Sequence, residues 1–245
     1  MISQQFLSRI SLKRDQVSSF DEYPFCLPAV STLDYLALHP KVTFFVGENG
    51  SGKSTLLEAI AVALEFNAEG GTKNFNFATQ NSHSSLHEYL RIARGIKQPK
   101  DGFFLRAESF YNVASEIDNL GVQGSYGGKS LHHQSHGEAF LSLINHRFKG
   151  KGLYLLDEPE AALSPQRQLS LLTRIHDLVE DQSQFVIATH SPILLAYPGA
   201  KIVQFDSTGI NEVAFEDTEH YKLTRDFLNH PQRYLHKLLG IPLAD

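Results

Sequence analysis

The chain has 245 residues, a formal net charge of −5 at pH 7, 42% hydrophobic residues and 20% charged residues. This composition excludes an intrinsically disordered chain and indicates one large domain with a substantial core. The acidic balance leaves no overall basic field for extensive sequence-independent binding to nucleic acid, and the single cysteine, Cys26, excludes an internal disulfide and is typical of a cytoplasmic protein.

The first clear elements along the chain are a strand, a glycine-rich loop and a helix. Residues 41–46 (KVTFFV) are β-branched and aromatic, which favours a buried strand. A glycine-rich loop follows, and residues 54–66 then place Leu56, Ile60 and Leu64 on one face at helical spacing. Two more apolar runs, 152–156 and 184–189, each follow an amphipathic helical segment. This alternation predicts an α/β fold with a parallel sheet.

Two segments differ from this alternation within what we predict to be a single domain, residues 1–245. Residues from about 74 to 145 are more polar and contain several glycines, which predicts an inserted subdomain. From about residue 220 to residue 245, apolar residues recur at roughly helical spacing. These residues predict a helical tail packed on the core. They are Tyr221, Leu223, Phe227, Leu228 and Leu235. No run of apolar residues is long enough for a transmembrane segment, so we expect none.

The glycine-rich loop fits a known phosphate-binding pattern. Residues 47–54 (GENGSGKS) match G-x-x-x-x-G-K-[ST], between a strand and a helix N-terminus whose dipole favours an anion. In such loops, backbone N–H groups surround the phosphates, the lysine reaches the β and γ groups, and the hydroxyl binds Mg²⁺. We predict nucleotide binding here, with Lys53 also catalytic and Ser54 also a metal ligand. The predicted binding residues are Gly47, Glu48, Asn49, Gly50, Ser51, Gly52, Lys53, Ser54 and Thr55.

Two carboxylates follow the apolar run 152–156. Asp157 and Glu158 come at the C-terminal end of a predicted buried strand, which is the edge where ligands bind in doubly wound sheets. We predict that Asp157 holds Mg²⁺, and that Glu158 accepts a proton from, or orients, the water that attacks the γ-phosphate. A solvated pair of acids is the structural alternative, which the phosphate loop disfavours.

The run 184–189 ends in a histidine. A neutral imidazole at His190 can donate to a phosphate oxygen or hold an attacking water. A lone histidine at a strand end is usually structural. Because this strand is expected to end at the same sheet edge as the other two motifs, we predict a catalytic role for His190.

The phosphate loop, the LLDEP strand and the strand ending in histidine resemble the nucleotide-binding domains of the ABC-type ATPase superfamily. Their order and spacing are similar to those of its compact members. The resemblance implies a P-loop NTPase fold with a parallel-sheet core, an antiparallel β portion and a small helical signature subdomain. It also implies ATP and Mg²⁺. GENGSGKST and DEPEAALSP resemble the RecF-type, OLD-type and DNA-repair branch, and its small stand-alone bacterial ATPases, more than transporter subunits.

The signature segment of this family is LSGGQ, and the matching stretch here is the variant Gln134-Ser135-His136-Gly137-Glu138. Ser135 and Glu138 fit an S-x-x-E capping box, which predicts a helix N-terminus. In the family this element contacts ATP held by a second subunit. The resemblance therefore implies a head-to-tail homodimer on ATP binding, in which Ser135 and Gly137 bind the nucleotide of the partner.

The resemblance also implies a γ-phosphate sensor, normally a glutamine at a strand end. Residues 102–109 (GFFLRAES) match best, with Glu108 in the place of the glutamine as a candidate metal ligand. Arg106 is an alternative phosphate partner, and Gln80 is a weaker candidate. An aromatic or basic residue upstream of the loop is expected to hold the adenine, and the sequence does not choose among Lys13, Arg14, Phe20 and Tyr23.

These motifs together predict a Mg²⁺-dependent ATPase whose cycle closes and opens a dimer. The expected partner is an unknown effector protein or DNA. One alternative is the ATP-binding subunit of a transporter. A second is an ATP-gated interaction module that does not hydrolyse ATP, which the presence of Glu158 disfavours.

Overall fold

The computed structural model describes residues 5–72, 84–119, 121, 124 and 131–240, so Gln80 lies outside the described residues. The strands are β1 (Leu7–Leu12), β2 (Leu36–Ala37), β3 (Val42–Gly47), β4 (Leu90–Arg94), β5 (Asp101–Arg106), β6 (Gly152–Asp157), β7 (Gln184–Ala188), β8 (Lys201–Asp206) and β9 (Gly209–Val213). The α-helices are α1 (Pro28–Ser31), α2 (Lys53–Ala63), α3 (Phe110–Asn119), α4 (His136–Arg147), α5 (Pro165–Glu180), α6 (Pro192–Leu195), α7 (Glu219–Asn229) and α8 (Pro231–Leu239). Short 3₁₀ turns lie at Arg14–Gln16, Ser85–Tyr89, Leu131–His133, Pro159–Ala162 and Phe215–Asp217.

The central sheet has the strand order β5-β6-β7-β3-β8-β9. The first five strands are parallel, and β9 is antiparallel to β8. Every residue of β3, β6 and β7 is buried, as expected for parallel strands covered on both faces. The predicted α/β fold with a parallel sheet is therefore confirmed, and the three predicted strands agree with these bounds within one residue.

A smaller antiparallel sheet with the order β2-β1-β4 lies beside the central one. The buried amide of Gln184 joins the two sheets, because its Oε1 accepts from the N–H groups of Phe6 and Leu7 at 3.0 and 2.9 Å. Its Nε2 donates to the carbonyl of Leu7 at 2.7 Å. The antiparallel portion implied by the family resemblance is thus present and is fixed to the first residue of β7.

Two hydrophobic clusters cover the two faces of the central sheet. On one face, Leu56 and Ile60 of α2 pack with Leu7 and Ile10 of the smaller sheet. On the other face, α3, α4 and α5 contribute buried side chains to a second cluster, of which Phe140 is one. Because both faces are covered, the ends of the strands are where polar residues can collect.

The region predicted as an insertion contains parts of both sheets. β4 pairs with β1 in the smaller sheet, and β5 pairs with β6 in the central sheet. The described α-helical residues between 74 and 145 belong to α3 and to most of α4. The strands in this region therefore belong to the framework that carries the helices.

Two helices, α7 and α8, occupy the C-terminal region, but none of their residues is buried. The prediction that this tail packs on the core is therefore wrong for its leucines, and Leu223 and Leu228 are 61% and 69% exposed. Helical spacing shows which side chains share a face, but it does not show what faces them. Among the described residues, no helix is long and apolar enough to cross a membrane.

Candidate nucleotide site

The phosphate-loop motif forms the connection between β3 and α2. Its glycines Gly47, Gly50 and Gly52 have φ values of 151°, 79° and 98°, a region that side chains rarely adopt. A Cβ added to Gly47 would lie 2.2 Å from the carbonyl oxygen of Phe205. The loop therefore needs glycine at Gly47 both for its conformation and for the close approach of β8.

Lys53, the first residue of α2, directs its ammonium back onto the loop. Its Nζ donates to the carbonyl oxygens of Gly47 and Glu48 at 2.7 and 2.9 Å, and the residue is 4% exposed. Burial lowers the pKa of Lys53, and the carboxylates of Glu158 and Asp157 oppose that effect. The loop thus holds a largely buried cation, which is the charge that a phosphate group requires.

Asp157 ends β6 and meets the start of α2. The hydroxyl of Ser54 donates to its Oδ1 at 2.9 Å. Its Oδ2 lies 3.5 Å from Nε of Arg106, the last residue of β5. Burial raises the pKa of Asp157 to about 6, although Arg106 and the Ser54 hydroxyl both act in the opposite direction. The predicted pair of metal ligands, Ser54 and Asp157, is therefore in direct contact.

Glu158 has a left-handed backbone with φ of 49°, which is unusual for a residue other than glycine. Its N–H donates to the carbonyl of Ala188 on β7 at 2.9 Å, which fixes this turn against the neighbouring strand. Its Oε1 lies 3.5 Å from Nε2 of His190. Such strained backbone positions are frequent at functional sites, so this turn supports a functional interpretation of Glu158.

His190 follows β7 and is held from two sides. Its backbone N–H donates to Oε1 of Glu160 at 2.5 Å, and its ring Nδ1 lies 2.9 Å from Nε2 of His220. Burial lowers the pKa of His190, and the Lys53 ammonium lowers it further. The imidazole is therefore neutral at pH 7, as the sequence-based role requires.

A cleft of about 360 Å³ runs along the loop. Its lining residues come from the loop, from α2 and from the segment before α1, and they are Tyr23, Leu27, Asn49, Gly50, Gly52, Lys53, Ser54, Thr55 and Glu158. The hydroxyl groups of Tyr23 and Thr55 are 3.2 Å apart. Of the four residues considered for the adenine, Tyr23 lines this cleft, whereas Arg14 lies over the ring of Phe20 at 4.7 Å.

The signature segment lies at the N-terminus of α4, with Ser135 as the N-cap. The N–H and hydroxyl of Ser135 donate to Oε2 of Glu138 at 3.1 and 2.6 Å, and Nη2 of Arg167 lies 3.2 Å from the other carboxylate oxygen. A Cβ on Gly137 would lie 2.6 Å from Nη1 of Arg167 and 2.8 Å from the carbonyl oxygen of Ala162. Neither Ser135 nor Gly137 lines the cleft along the loop.

Glu108 lies beyond the end of β5 and is exposed. Its Oε2 pairs with Nη2 of Arg106 at 3.3 Å, and Nη1 of Arg106 donates to Oε2 of Glu58 at 2.7 Å. The guanidinium therefore stands between Glu108 and the carboxylate of Asp157. The structure brings Ser54 and Asp157 into contact, whereas Glu108 pairs with Arg106, which lies between Glu108 and Asp157.

The residues present fit ATP and Mg²⁺. The hydroxyl of Ser51 is buried in the loop and has no hydrogen-bond partner among the described residues, so it is free to meet a phosphate. No cluster of three or more His, Cys, Asp or Glu side chains in the described ranges is suited to a metal ion. Mg²⁺ would instead use Ser54, Asp157 and oxygens of the substrate and solvent, as it commonly does beside phosphates.

Two residues at the site carried no signal in the sequence. Arg167 and His220 belong to no motif that we considered, and the fold places each against a residue that does: His220 contacts His190, and Arg167 contacts the signature. His190 and His220, for example, are 30 positions apart in the sequence. Only pairing between distant elements brings them to the site.

Two protein-family models match the chain. One, described as "AAA domain", matches residues 30–117, and the other, described as "AAA domain, putative AbiEii toxin, Type IV TA system", matches residues 138–196. The first range contains the phosphate loop. The second contains Asp157, Glu158 and His190, so the two models together include both sides of the cleft.

The chain is also similar to proteins of known families. It is 26% identical to "ABC transporter G family member 22" of Arabidopsis thaliana over 62% of this chain and 23% of the relative. It is 26% identical to a "Putative ABC transporter ATP-binding protein" of Geobacter sulfurreducens over 69% of this chain and 66% of the relative. The "SMC head domain from Thermotoga maritima" aligns with a TM-score of 0.47 and 16% identity over 85% of this chain and 98% of that one.

The chain spans less than two thirds of the length of both curated relatives. The phosphate loop, Asp157 and His190 are gathered at one sheet edge, and together with both domain models and the ABC relatives they support an ABC-type P-loop ATPase.

Proposed function

We propose that this protein binds ATP with Mg²⁺ and hydrolyses it. The observation that carries the proposal is the position of Glu158, whose Oε1 lies 3.5 Å from Nε2 of His190. Glu158 also lines the same cleft as Lys53 and Ser54. It is the single carboxylate among the residues that line this cleft, and a carboxylate beside bound phosphates is suited to accept a proton from water.

Each group has a distinct role in this proposal. The loop amides and Lys53 bind the β and γ phosphates, and Ser54 and Asp157 hold Mg²⁺, which neutralises charge on the phosphates. Glu158 orients the attacking water and takes its proton. His190 donates a hydrogen bond from its neutral ring and stabilises negative charge. Glu108 remains a proposed metal ligand that would have to leave Arg106.

We further propose that two copies act head to tail. Ser135 and Gly137 lie at the capped N-terminus of α4, and neither lines the cleft of its own chain. A helix N-terminus binds anions well, so a second copy is a suitable source of the phosphate. Each subunit would then complete the nucleotide site of the other.

The proposed partner is a cytoplasmic effector protein or DNA, which would use the opening and closing of the dimer. A role as the ATP-binding subunit of a transporter is the second candidate, because both relatives described above are named for ABC transporters. These two candidates share the nucleotide chemistry. They differ in what the moving dimer contacts.

Comparison of the wild type with Glu158→Gln tests the nucleotide chemistry. ATP and Mg²⁺ are added, mass is followed by size-exclusion light scattering, and phosphate release is followed in parallel. We expect the wild type to turn over, and the variant to lose turnover while forming a stable dimer. Glu212→Gln on β9 is a control of equal charge change, because its partner Lys201 lies in the edge strand pair away from the cleft.

Two results would contradict the proposal. A wild type that releases no phosphate would leave only an ATP-gated binding module. Monomers in every sample, with ATP bound, would remove the dimer and the role of Ser135.

The partner is tested separately: duplex DNA that raises turnover in low salt and not in high salt supports the first candidate. Co-purification with a membrane-embedded permease supports the second.

A further inference from the structure

The ring of His190 is in contact with a second histidine that no motif identifies. His220 lies in the first turn of α7, and its Nε2 is 2.9 Å from Nδ1 of His190. The ring centroids are 5.0 Å apart and the ring planes are inclined by 63°. Two imidazoles at this distance share a hydrogen bond, so one ring must donate and the other must accept.

Both rings are neutral at pH 7, because burial is the largest effect on each and lowers both pKa values. A neutral imidazole carries one N–H. The remaining two nitrogens, Nε2 of His190 and Nδ1 of His220, are buried and have no hydrogen-bond partner among the described residues. Two proton arrangements are therefore available to the pair, and they differ in what His190 presents on its far side.

In the first arrangement, Nε2–H of His220 donates to Nδ1 of His190. His190 then carries its own proton on Nε2, which lies 3.5 Å from Oε1 of Glu158. In the second arrangement, Nδ1–H of His190 donates to His220, and the bare lone pair of His190 Nε2 faces that carboxylate. The second arrangement also leaves the Nδ1–H of His220 as a buried donor without an acceptor.

Electrostatics favours the first arrangement. An N–H beside a carboxylate is attracted to it, whereas a lone pair is repelled. A buried donor without a partner is also rarer in proteins than an acceptor with spare capacity. The pair therefore holds His190 with its proton on the side that faces Glu158.

We infer that His220 is a positioning residue for His190: its Nε2–H bond to Nδ1 fixes the tautomer in which Nε2–H of His190 is directed towards Glu158 and can donate to a phosphate. This inference rests on the proposed hydrolysis of ATP for its consequence in turnover. The tautomer itself does not depend on nucleotide. The donor comes from α7, so the exposed C-terminal helix pair is connected directly to the catalytic edge of the sheet.

The position of His220 is set by the start of α7. Thr218 is fully buried, and its hydroxyl oxygen caps the helix by accepting from the N–H of Tyr221 at 3.4 Å. The ring lies near Lys53 and Glu48, which act on its pKa in opposite directions. Any movement of α7 would therefore also move the Nε2–H donor of His220, on which the tautomer of His190 depends.

The first test reads the tautomer directly in the full chain without nucleotide. Long-range ¹H–¹⁵N correlation spectra of ¹⁵N-histidine protein distinguish protonated from bare ring nitrogens, and single His190→Gln and His220→Gln variants assign the signals. We expect a bare Nδ1 and a protonated Nε2 on His190 in the wild type. In His220→Leu, which removes the donor, we expect a mixture of tautomers on His190.

The second test separates positioning from general structural damage. In His220→Leu, kcat should fall roughly tenfold, the rate equivalent of one neutral hydrogen bond, while KM for ATP changes less than about twofold. His220→Gln should restore both, because its amide nitrogen can donate as Nε2 does. His176→Leu is the control, since His176 also pairs with one ring group, the Tyr197 hydroxyl at 3.2 Å, outside the site.

The outcomes distinguish this inference from the proposed function. A protonated Nδ1 on His190 in the wild type overturns the inference whatever the activity. An active wild type with equal kcat in His220→Leu, or a loss that His220→Gln does not rescue, also overturns it and leaves the proposed function intact. A wild type with the expected tautomer but no phosphate release supports the hydrogen bond and overturns the catalytic consequence together with the proposed function.

Discussion

The hydroxyl of Ser54 donates a 2.9 Å hydrogen bond to Oδ1 of Asp157, which joins the phosphate loop to the end of β6 across 103 residues. Both side chains offer oxygen, the atom that Mg²⁺ prefers. Because the two oxygens are already in contact, a metal ion bound there would link α2 to the turn at Glu158, which we propose to be catalytic. This relationship makes the role of Asp157 directly testable.

Asp157→Asn should weaken the Mg²⁺ dependence of ATP binding. The amide keeps the shape but loses the negative charge, so the gain in ATP affinity that Mg²⁺ produces should fall by about tenfold or more. Calorimetric titration with a non-hydrolysable ATP analogue, with Mg²⁺ and with a chelator, measures it.

Asp101→Asn is the matched control for that experiment. The side chain of Asp101 is 11% exposed, against 7% for Asp157, and it pairs with Arg147 at the opposite end of the sheet. This change should leave the effect of Mg²⁺ intact. An equal loss in both variants would assign the effect to general destabilisation and contradict the role of Asp157.

Gly47→Ala should lower the free energy of unfolding by more than the positive φ of Gly47 alone explains, because the added Cβ also meets β8. The new Cβ would lie 2.2 Å from the carbonyl oxygen of Phe205, and φ is 151°. Gly199→Ala supplies the control, since its φ is 71° and nothing lies within 4 Å of the added Cβ. We expect the free energy of unfolding in urea to fall by about 3 kcal/mol for Gly47→Ala and by about 1 kcal/mol for Gly199→Ala. Equal losses would show that β8 does not restrict the loop.

Tyr23→Ala should weaken ATP binding by about tenfold if the ring stacks on the adenine, since stacking on an aromatic side chain contributes about 1–3 kcal/mol per base. Tyr23 lines the cleft and is 64% exposed. Tyr35→Ala, at a tyrosine that is 66% exposed, should leave the affinity unchanged. Tyr23→Phe keeps the ring and loses the contact with Thr55, so near-normal affinity in this variant assigns the effect to stacking. Unchanged affinity in Tyr23→Ala would place the base elsewhere.

Protonation of His39 should make the protein less stable in mild acid. Its Nδ1 accepts from the N–H groups of Lys41 and Val42 at 3.2 and 3.3 Å, so protonation there breaks both bonds. Burial lowers the pKa of His39, and Lys41 lowers it further. Because the pKa in the folded state lies below that in the unfolded state, this contribution is complete above about pH 6.5 and is lost as the pH falls through the lower value.

Urea unfolding of the wild type and His39→Asn between about pH 7 and about pH 5 tests this. The Oδ1 of asparagine can accept both bonds and does not titrate in this range. The difference in the free energy of unfolding between the two proteins should therefore shift in favour of His39→Asn as the pH falls. A constant difference would show that His39 does not contribute to the pH dependence.

Several features of the fold could be predicted because they depend on neighbours along the chain. The runs at residues 41–46, 152–156 and 184–189 match the buried strands β3, β6 and β7 to within one residue, since a parallel strand covered on both faces is mostly apolar. The capping pair Ser135 and Glu138 likewise begins α4 as expected. In each case, the residues that cause the element to form are neighbours in the sequence.

Other features could not be predicted because they depend on what lies opposite. The leucines of α7 and α8 have the spacing of a packed helix and are exposed, and Arg106 stands between Glu108 and Asp157. The order of residues does not show which surface, if any, covers the apolar face of a helix. Nor does it show which cation pairs with a given carboxylate. These outcomes follow from the arrangement of elements in space.

By itself, the sequence determined the phosphate loop, the acidic strand end and the histidine after β7, because each is a short motif whose chemistry lies in adjacent residues. Tertiary structure decided that His220 contacts His190, that Gln184 joins the two sheets and that Tyr23 lines the cleft. The physical reason is that these contacts join elements far apart along the chain. A hydrogen bond between them exists only after the sheet has aligned its strand ends and the buried core has fixed the helices around them.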